Sequence, residues 1–287
     1  MENHLFIFGM GYTSGRLAHH LRGQGWRVTG TRRAADGRCL AFDDRDAVIT
    51  AIRAATHILS SVPPGRDGSD PVLMHYAGAI ANAPAIWTGY LSSTGVYGDA
   101  GGAWVDESTP VSGRRGARNA SDIAWQNLRD DTYVFRLPGI YGPGRSALER
   151  AAQGKAHRID LPDQVFSRVH VDDIVSGITA SFAPANSAPG VYNLADDMPC
   201  GQNQVIEAAC DMLGLPYPQM QSLEQAQLSP MALAFYAENR RVSNLKAKRL
   251  LGWQPIYATY RAGLAACMET SKPVTASTAP AAANPVH

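Results

Sequence analysis

Gly9-Met10-Gly11-Tyr12-Thr13-Ser14-Gly15 stands between an apolar run, Leu5 to Phe8, and a segment in which Leu17, Ala18 and Leu21 repeat at helical spacing. Strand, tight turn and helix in that order form the context in which a G-x-G-x-x-G pattern holds a dinucleotide. Gly9 permits the sharp turn, and Gly11 lets the backbone approach a diphosphate at the positive end of the helix. Tyr12, Thr13 and Gly15 complete the candidate cradle. Ser14 stands where the third glycine usually does, and its small side chain still allows close helix–strand packing. Without a ligand the same residues would make an ordinary glycine-rich turn.

The next strand contains Val28 and ends Thr29-Gly30-Thr31-Arg32-Arg33. An NAD site usually has an acid there for the ribose hydroxyls, whereas a guanidinium suits a 2′-phosphate. Arginine stays charged and presents fork-like donors, so Arg32 and Arg33 favour NADP over NAD, with Asp36 as a late acid that keeps NAD open. Asp43, after the third apolar run, is placed to accept from an adenine amino group. It is equally placed as a helix-start acid beside Asp44 and Asp46.

Further short apolar runs lie at 39–42, 58–62, 86–92 and 133–137, with helix-like segments between most of them. This alternation predicts an α/β fold, a Rossmann doubly wound parallel sheet with a smaller C-terminal substrate lobe. The dinucleotide domain is expected over 1–137, with 165–190 returning to it, and the substrate lobe over most of 138–269. Strand-like runs are expected at 165–169 and 191–194, and helices from Asp172 and over 202–213. The end of the chain, 270–287, is almost entirely Ala, Pro, Thr, Ser, Val and Asn and is expected to be a flexible tail.

In 287 residues, 45% hydrophobic and 18% charged, there is ample material for one large α/β core and no global field, since the net charge is +1. Nucleic acid is not expected as a partner, and no apolar run reaches membrane-spanning length. The opening Met1-Glu2-Asn3-His4 lacks a basic secretory n-region, and the four cysteines, Cys39, Cys200, Cys210 and Cys267, show neither metal-ligand nor disulfide spacing. A cytoplasmic protein with no metal is the expectation. The residues also lack H-E-x-x-H and G-x-S-x-G patterns, which removes metalloprotease and α/β-hydrolase readings.

Leu91-Ser92-Ser93-Thr94-Gly95-Val96-Tyr97-Gly98-Asp99, then Arg136-Leu137-Pro138-Gly139-Ile140-Tyr141-Gly142-Pro143-Gly144-Arg145, Phe166 to Asp173, and Leu250-Leu251-Gly252-Trp253-Gln254-Pro255 follow one another along the chain. Together they resemble the extended short-chain dehydrogenase/reductase family, in its NAD-dependent epimerase/dehydratase branch. The resemblance covers roughly 5–265 and implies the fold, a nicotinamide cofactor touching Pro138, and a small-molecule substrate; the family's habit of dimerising makes a homodimer an expectation by analogy.

The resemblance also implies a Ser or Thr that binds the reacting oxygen, a Tyr that moves a proton, and a Lys that holds the nicotinamide ribose. Ser93 matches the hydroxyl position, with Thr94 beside it. The Tyr and Lys positions fall on Arg114 and Arg118, with Asp122 one turn further on. An arginine does not deprotonate at working pH, so it cannot be the general acid or base. Arg118 can still hold ribose hydroxyls, and Arg114 can polarise a carbonyl or bind a carboxylate or phosphate; both can equally be surface arginines paired with acids such as Asp122. Tyr97 and Tyr141 are the replacement proton donors that the resemblance puts near the cleft, although either ring can simply pack. Gly139 replaces an asparagine common in nucleotide-sugar enzymes. Arg145, Arg168, Arg240 and Arg241 are candidate anchors for an anion, and His170, before an Asp172 expected to cap a helix, is expected to be structural. Two functions follow: an NAD(P)-dependent oxidoreductase or epimerase-like enzyme acting on a small, anionic substrate, or a non-catalytic NADP-binding regulatory or sensor protein.

Overall fold

The computed structural model describes residues 2–65, 67–183, 188–228 and 230–271. Its first half runs β1 (His4–Phe8), α1 (Tyr12–Gly23), β2 (Arg27–Arg32), β3 (Leu40–Ala41), α2 (Arg45–Ala54), β4 (His57–Ser60), α3 (Pro71–Ala81) and β5 (Trp87–Ser93). A 3-10 turn (Thr94–Tyr97), β6 (Trp104–Val105), α4 (Gly116–Gln126) and β7 (Thr132–Leu137) follow. The second half contains β8 (Gly139–Tyr141), α5 (Ala147–Ala152), β9 (Arg158–Ile159), β10 (Arg168–His170), α6 (Val171–Ala180) and β11 (Gly190–Asn193). It ends with α7 (Gln202–Leu213), β12 (Met220–Gln221), α8 (Pro230–Tyr236), β13 (Arg241–Val242), α9 (Leu245–Leu250) and α10 (Tyr260–Ser271).

Seven strands form the central sheet in the order β11-β7-β5-β4-β1-β2-β3, and all neighbours are parallel. The predicted doubly wound fold is therefore the observed one. Alternation within β1 explains how the sheet is covered on both sides. Leu5 and Ile7 join a core with Leu17 and Leu21 of α1 and Ile174 and Ile178 of α6, while Phe6 and Phe8 meet Val48, Ile52, Tyr76 and Trp125 from α2, α3 and α4. Asp44 caps α2 by accepting from the Ala47 amide at 3.2 Å, the duty that the sequence shared among Asp43, Asp44 and Asp46.

α6 packs on one face of the sheet, β11 forms the sheet edge, and Ala247, Leu251 and Trp253 join the same core as α6. A smaller core of Tyr141, Leu148, Ile206, Tyr260 and Leu264 holds α5, α7 and α10 together. All four cysteines are buried and none is in a disulfide. Two sequence expectations change here. His170, rather than Asp172, caps α6: its Nδ1 accepts from the Asp172 amide at 3.2 Å, which leaves the Asp172 carboxylate to pair with Arg16 at 2.6 Å. Of the expected tail, Thr270 and Ser271 belong to α10, and 272–287 lie outside the described residues. Among the described residues no helix is long and apolar enough to cross a membrane.

Candidate active-site cleft

Strand order reverses at β1, which has β4 on one side and β2 on the other, and a cleft of about 540 Å³ opens at the carboxyl ends of these strands. This is where open α/β sheets bind ligands. The turn from β1 into α1 forms one wall. Gly9 sits at φ +82°, and a Cβ there would come within 2.8 Å of Val62 Cγ2, so both conformation and space demand glycine. Ser14 Oγ donates to the Gly9 carbonyl at 2.6 Å and accepts from the Gly11 amide at 2.9 Å; Ser61 Oγ donates to the same carbonyl at 2.6 Å. Ser14, taken from sequence as a small packing residue, locks the turn by hydrogen bonds. A Cβ on Gly11 would meet nothing closer than the Gly9 carbonyl at 4.0 Å, and Gly11 lines the cleft. The protein's own packing thus leaves that side of the turn bare. Tyr12 and Thr13 head α1, where first-turn amides have no intrahelical acceptor, and a dinucleotide's diphosphate fits this bare, amide-lined corner.

At the end of β2, Arg32 Nε donates to the Met10 carbonyl at 3.2 Å, and Nη1 pairs with Asp36 Oδ2 at 2.8 Å. This fixes one guanidinium beside the turn and brings Asp36 to the same spot. The Arg38 and Cys39 amides and Arg32 hold the Asp36 carboxyl below the usual carboxylate range. Arg33 and Asp43 are exposed.

The opposite wall carries Ser93, Thr94, Arg114, Arg118 and Pro138. Ser93 ends β5 and caps the 3-10 turn, its Oγ accepting from the Gly95 amide at 3.1 Å. Arg118 is half-buried, and among the described residues no acid pairs with it; burial pulls its pKa below the ordinary guanidinium value. Arg114 Nε pairs with Glu238 Oε1 at 3.1 Å, and Nη2 donates to the Ala234 carbonyl at 3.2 Å. Arg240 Nη1 holds the other oxygen of Glu238 at 2.7 Å and the Gly98 carbonyl at 2.6 Å. Arg145 lies over the Tyr12 ring, 5.7 Å from its centroid.

Several residues stand elsewhere than the sequence suggested. Tyr97 is buried outside the cleft lining: its hydroxyl donates to Asn193 Oδ1 at 2.7 Å, Arg136 covers its ring, and burial pushes its pKa up to about 12. A ring turned into the interior cannot deliver a proton to the cleft. Tyr141 packs in the smaller core and lines the deeper pocket between β8, α5 and α7 rather than the wall that carries Ser93; among the described residues its hydroxyl has no hydrogen-bond partner, and burial raises its pKa. Asp122 takes neither Arg114 nor Arg118. It is fully buried and accepts from Arg136 Nη2 at 2.7 Å, Arg136 Nε at 3.1 Å and Ser92 Oγ at 2.6 Å. Arg168 is also buried, donating to the Phe166 and Cys200 carbonyls, and Arg241 donates to the Gly102 carbonyl.

Ser61 and Glu238 escaped the sequence reading. Ser61 follows the apolar run of β4 at the strand's carboxyl end, a position that points to the cleft in any parallel sheet. Glu238 offered no local signal of facing the cleft, because its cleft partner Arg114 stands 124 positions away.

The cleft continues past Phe166, Ser167 and Phe235 into a second chamber of about 610 Å³ between β8, α5 and α7. Among the described residues no group of His, Cys, Asp and Glu is arranged to hold a metal.

No family model matches the chain. A solved structure of a functionally unknown conserved protein from Silicibacter pomeroyi DSS is 41% identical, covers 93% of this chain and 99% of its own, and superposes with a TM-score of 0.85. Human epimerase family protein SDR39U1 (isoform 2) with NADPH has a TM-score of 0.75 at 16% identity, over 93% of this chain and 99% of that one. Protein YeeZ of Escherichia coli K12 is 28% identical over 251 residues, 75% of this chain and 86% of YeeZ.

Proposed function

We propose that this chain, which belongs to one family with the Silicibacter pomeroyi protein and has the fold of the extended short-chain dehydrogenase/reductases of the epimerase/dehydratase branch, is an NAD(P)-dependent oxidoreductase or epimerase-like enzyme for a small anionic carbonyl or hydroxyl compound. One observation carries the reading. The bare Gly11 turn faces Ser93 and the unpaired Arg118 across a single cleft. When bound, a nicotinamide cofactor supplies or accepts hydride at C4 of its ring.

The chain's residues do the rest. The amides of Tyr12 and Thr13 hold the diphosphate, Pro138 packs near the nicotinamide, and Arg118 donates to the ribose hydroxyls where the family has lysine. Ser93 donates to the reacting oxygen of the substrate, and a neighbouring guanidinium stabilises the negative charge that develops there. Neither arginine passes a proton, so the proton reaches that oxygen from solvent. Arg32 and Arg33 favour NADP, while Asp36, paired with Arg32, keeps NAD open.

Fluorescence titration with NADPH and NADH, followed by a screen of carbonyl acids for cofactor oxidation, tests the reading. NADPH is expected to bind, and Ser93→Ala is expected to abolish turnover with little change in NADPH affinity. Arg32→Ala is expected to weaken NADPH by about 1–3 kcal/mol and to leave NADH nearly unchanged. Equal losses for both cofactors would remove the case for NADP. The cleft wall itself favours one alternative, a non-catalytic NADP-binding sensor, since the dyad is Arg114 and Arg118. NADPH binding with no turnover across the panel, and no effect of Ser93→Ala, would establish it.

A further inference from the structure

Among the described residues, the charged side chains lining the cleft are five arginines, Arg114, Arg115, Arg118, Arg145 and Arg240, and one acid, Glu238. Dinucleotide diphosphate would neutralise only about half of the cationic excess. The remainder lies on the Ser93 side, where Glu238 reaches from the segment between α8 and β13 and gives one oxygen to Arg114 and the other to Arg240.

Resting on the cofactor reading above, we propose that Arg114 and Arg240 form the subsite for the substrate's oxyanion, a carboxylate or a phosphate, and that Glu238 occupies it until substrate displaces it. Both guanidiniums keep a free edge. Arg114 spends Nε on Glu238 and Nη2 on the Ala234 carbonyl, and among the described residues nothing takes its Nη1 donors. Arg240 spends Nη1 on Glu238 and the Gly98 carbonyl, while its Nη2 lies beside Gly95, 3.9 Å from where a Cβ would stand. Gly95 is two residues after Ser93, so an anion held by Arg240 is anchored next to the hydroxyl that binds the reacting oxygen.

The Arg114 half of the existing contact is the one that yields first, because Arg240 and Glu238 meet at 2.7 Å with side-chain exposures of only 15% and 12%. Arg114 is 55% exposed in its pair with Glu238, and such pairs are screened by solvent. A substrate carboxylate can use the guanidinium fork with both oxygens, the stronger geometry. Glu238, set free, regains water. The Arg240 and Arg114 contacts outweigh the burial that acts against them and hold the Glu238 carboxyl below the usual carboxylate range, so it remains a charged competitor at neutral pH. The gate therefore favours ligands that bring their own negative charge and resists neutral ones.

Full-chain protein, with and without saturating NADPH, is titrated calorimetrically with acetate, inorganic phosphate and, as a neutral control, acetamide at fixed ionic strength. Glu238→Gln is expected to bind the preferred anion about ten-fold more tightly than the parent, and Arg240→Met about ten-fold more weakly, with acetamide silent throughout and NADPH affinity unchanged. The tighter of acetate and phosphate identifies the oxyanion. Glu238→Ala, checked for a native melt, repeats the comparison if the glutamine variant is unstable. Unchanged anion affinity in the Glu238 variants, or full affinity in Arg240→Met, overturns the proposal. Anion binding without NADPH reads the subsite by itself, so a failure of NADPH to bind would sink the cofactor reading while leaving this comparison decisive.

Discussion

Two ion pairs beside α4 have the same chemistry and opposite settings. Asp122 and Arg136 meet at 2.7 Å with side-chain exposures of 0% and 3%, and Ser92 and Gln126 also donate to the carboxylate. Arg114 and Glu238 meet at 3.1 Å at the cleft, where Arg114 is 55% exposed. In the first pair, water cannot replace a lost partner, so the pair fastens β5, α4 and β7 together behind Ser93. In the second, water or a ligand can replace Arg114 at small cost, while Glu238 keeps Arg240 at 2.7 Å, which suits a contact that exchanges on the Arg114 side. Burial, rather than the identity of the charges, separates an architectural pair from a functional one.

The sharpest way to break this comparison is Asp122→Ala. Removing one member of a buried pair leaves Arg136 charged and without a counter-ion, its Nη1 already without a hydrogen-bond partner. A loss of about 3–5 kcal/mol in urea unfolding is expected. A loss below about 1 kcal/mol would mean that the pair is accessible to water and that the contrast fails.

The sheet was legible because Gly9 to Gly15 and the period-two alternation of β1 are local signals, each decided by residues a few positions apart. Ser93, Arg114 and Arg118, which line one cleft, were pointed to by the family resemblance rather than by any local signal of their own. Ring directions were not: Tyr97 belongs to the same turn as Ser93, yet Arg136 and Asn193, from two other strands, draw it inward. One overlooked clue was Arg136 itself, a charge inside the apolar run Tyr133 to Leu137, which required a buried acid somewhere in the chain. The Glu238 gate had no clue of that kind, since one partner, Arg114, stands 124 positions away and the other, Arg240, two residues on, gives no sign by itself of facing a cleft.

A buried acid to which no guanidinium among the described residues is hydrogen-bonded, and on which the Arg168 charge acts only through space, sharpens the comparison. Asp196 is 2% exposed, accepts from the Met198 amide at 3.2 Å, and leaves Oδ2 without a hydrogen-bond partner. Burial pushes its pKa up to about 7, and burial likewise pushes Asp173, which accepts from the Ile256 amide, up to about 6. Both values are above the unfolded one near 4. The folded state therefore holds these protons more tightly, and the stability they contribute is complete below about pH 4 and lost as pH rises through about 6 to 7. Asp196→Asn, which mimics the protonated form, should lack its share of that loss. Relative to the parent it is expected to gain about 2–4 kcal/mol between pH 4.5 and pH 7.5 in urea unfolding. A difference that stays flat with pH would show that Asp196 is hydrated.

The smallest expected effect completes the contrast with Asp122. Arg114→Ala removes a half-exposed guanidinium whose partner Glu238 keeps Arg240 at 2.7 Å, so no charge is stranded. Its unfolding free energy in urea should fall by no more than about 1 kcal/mol, and the loss should shrink as salt is added, because ions screen an exposed pair. A substitution nearly silent in stability that nevertheless weakens acetate or phosphate binding assigns Arg114 to the ligand. A loss approaching that of Asp122→Ala would instead make Arg114 an architectural residue, and the gate would have to rest on Arg240 alone.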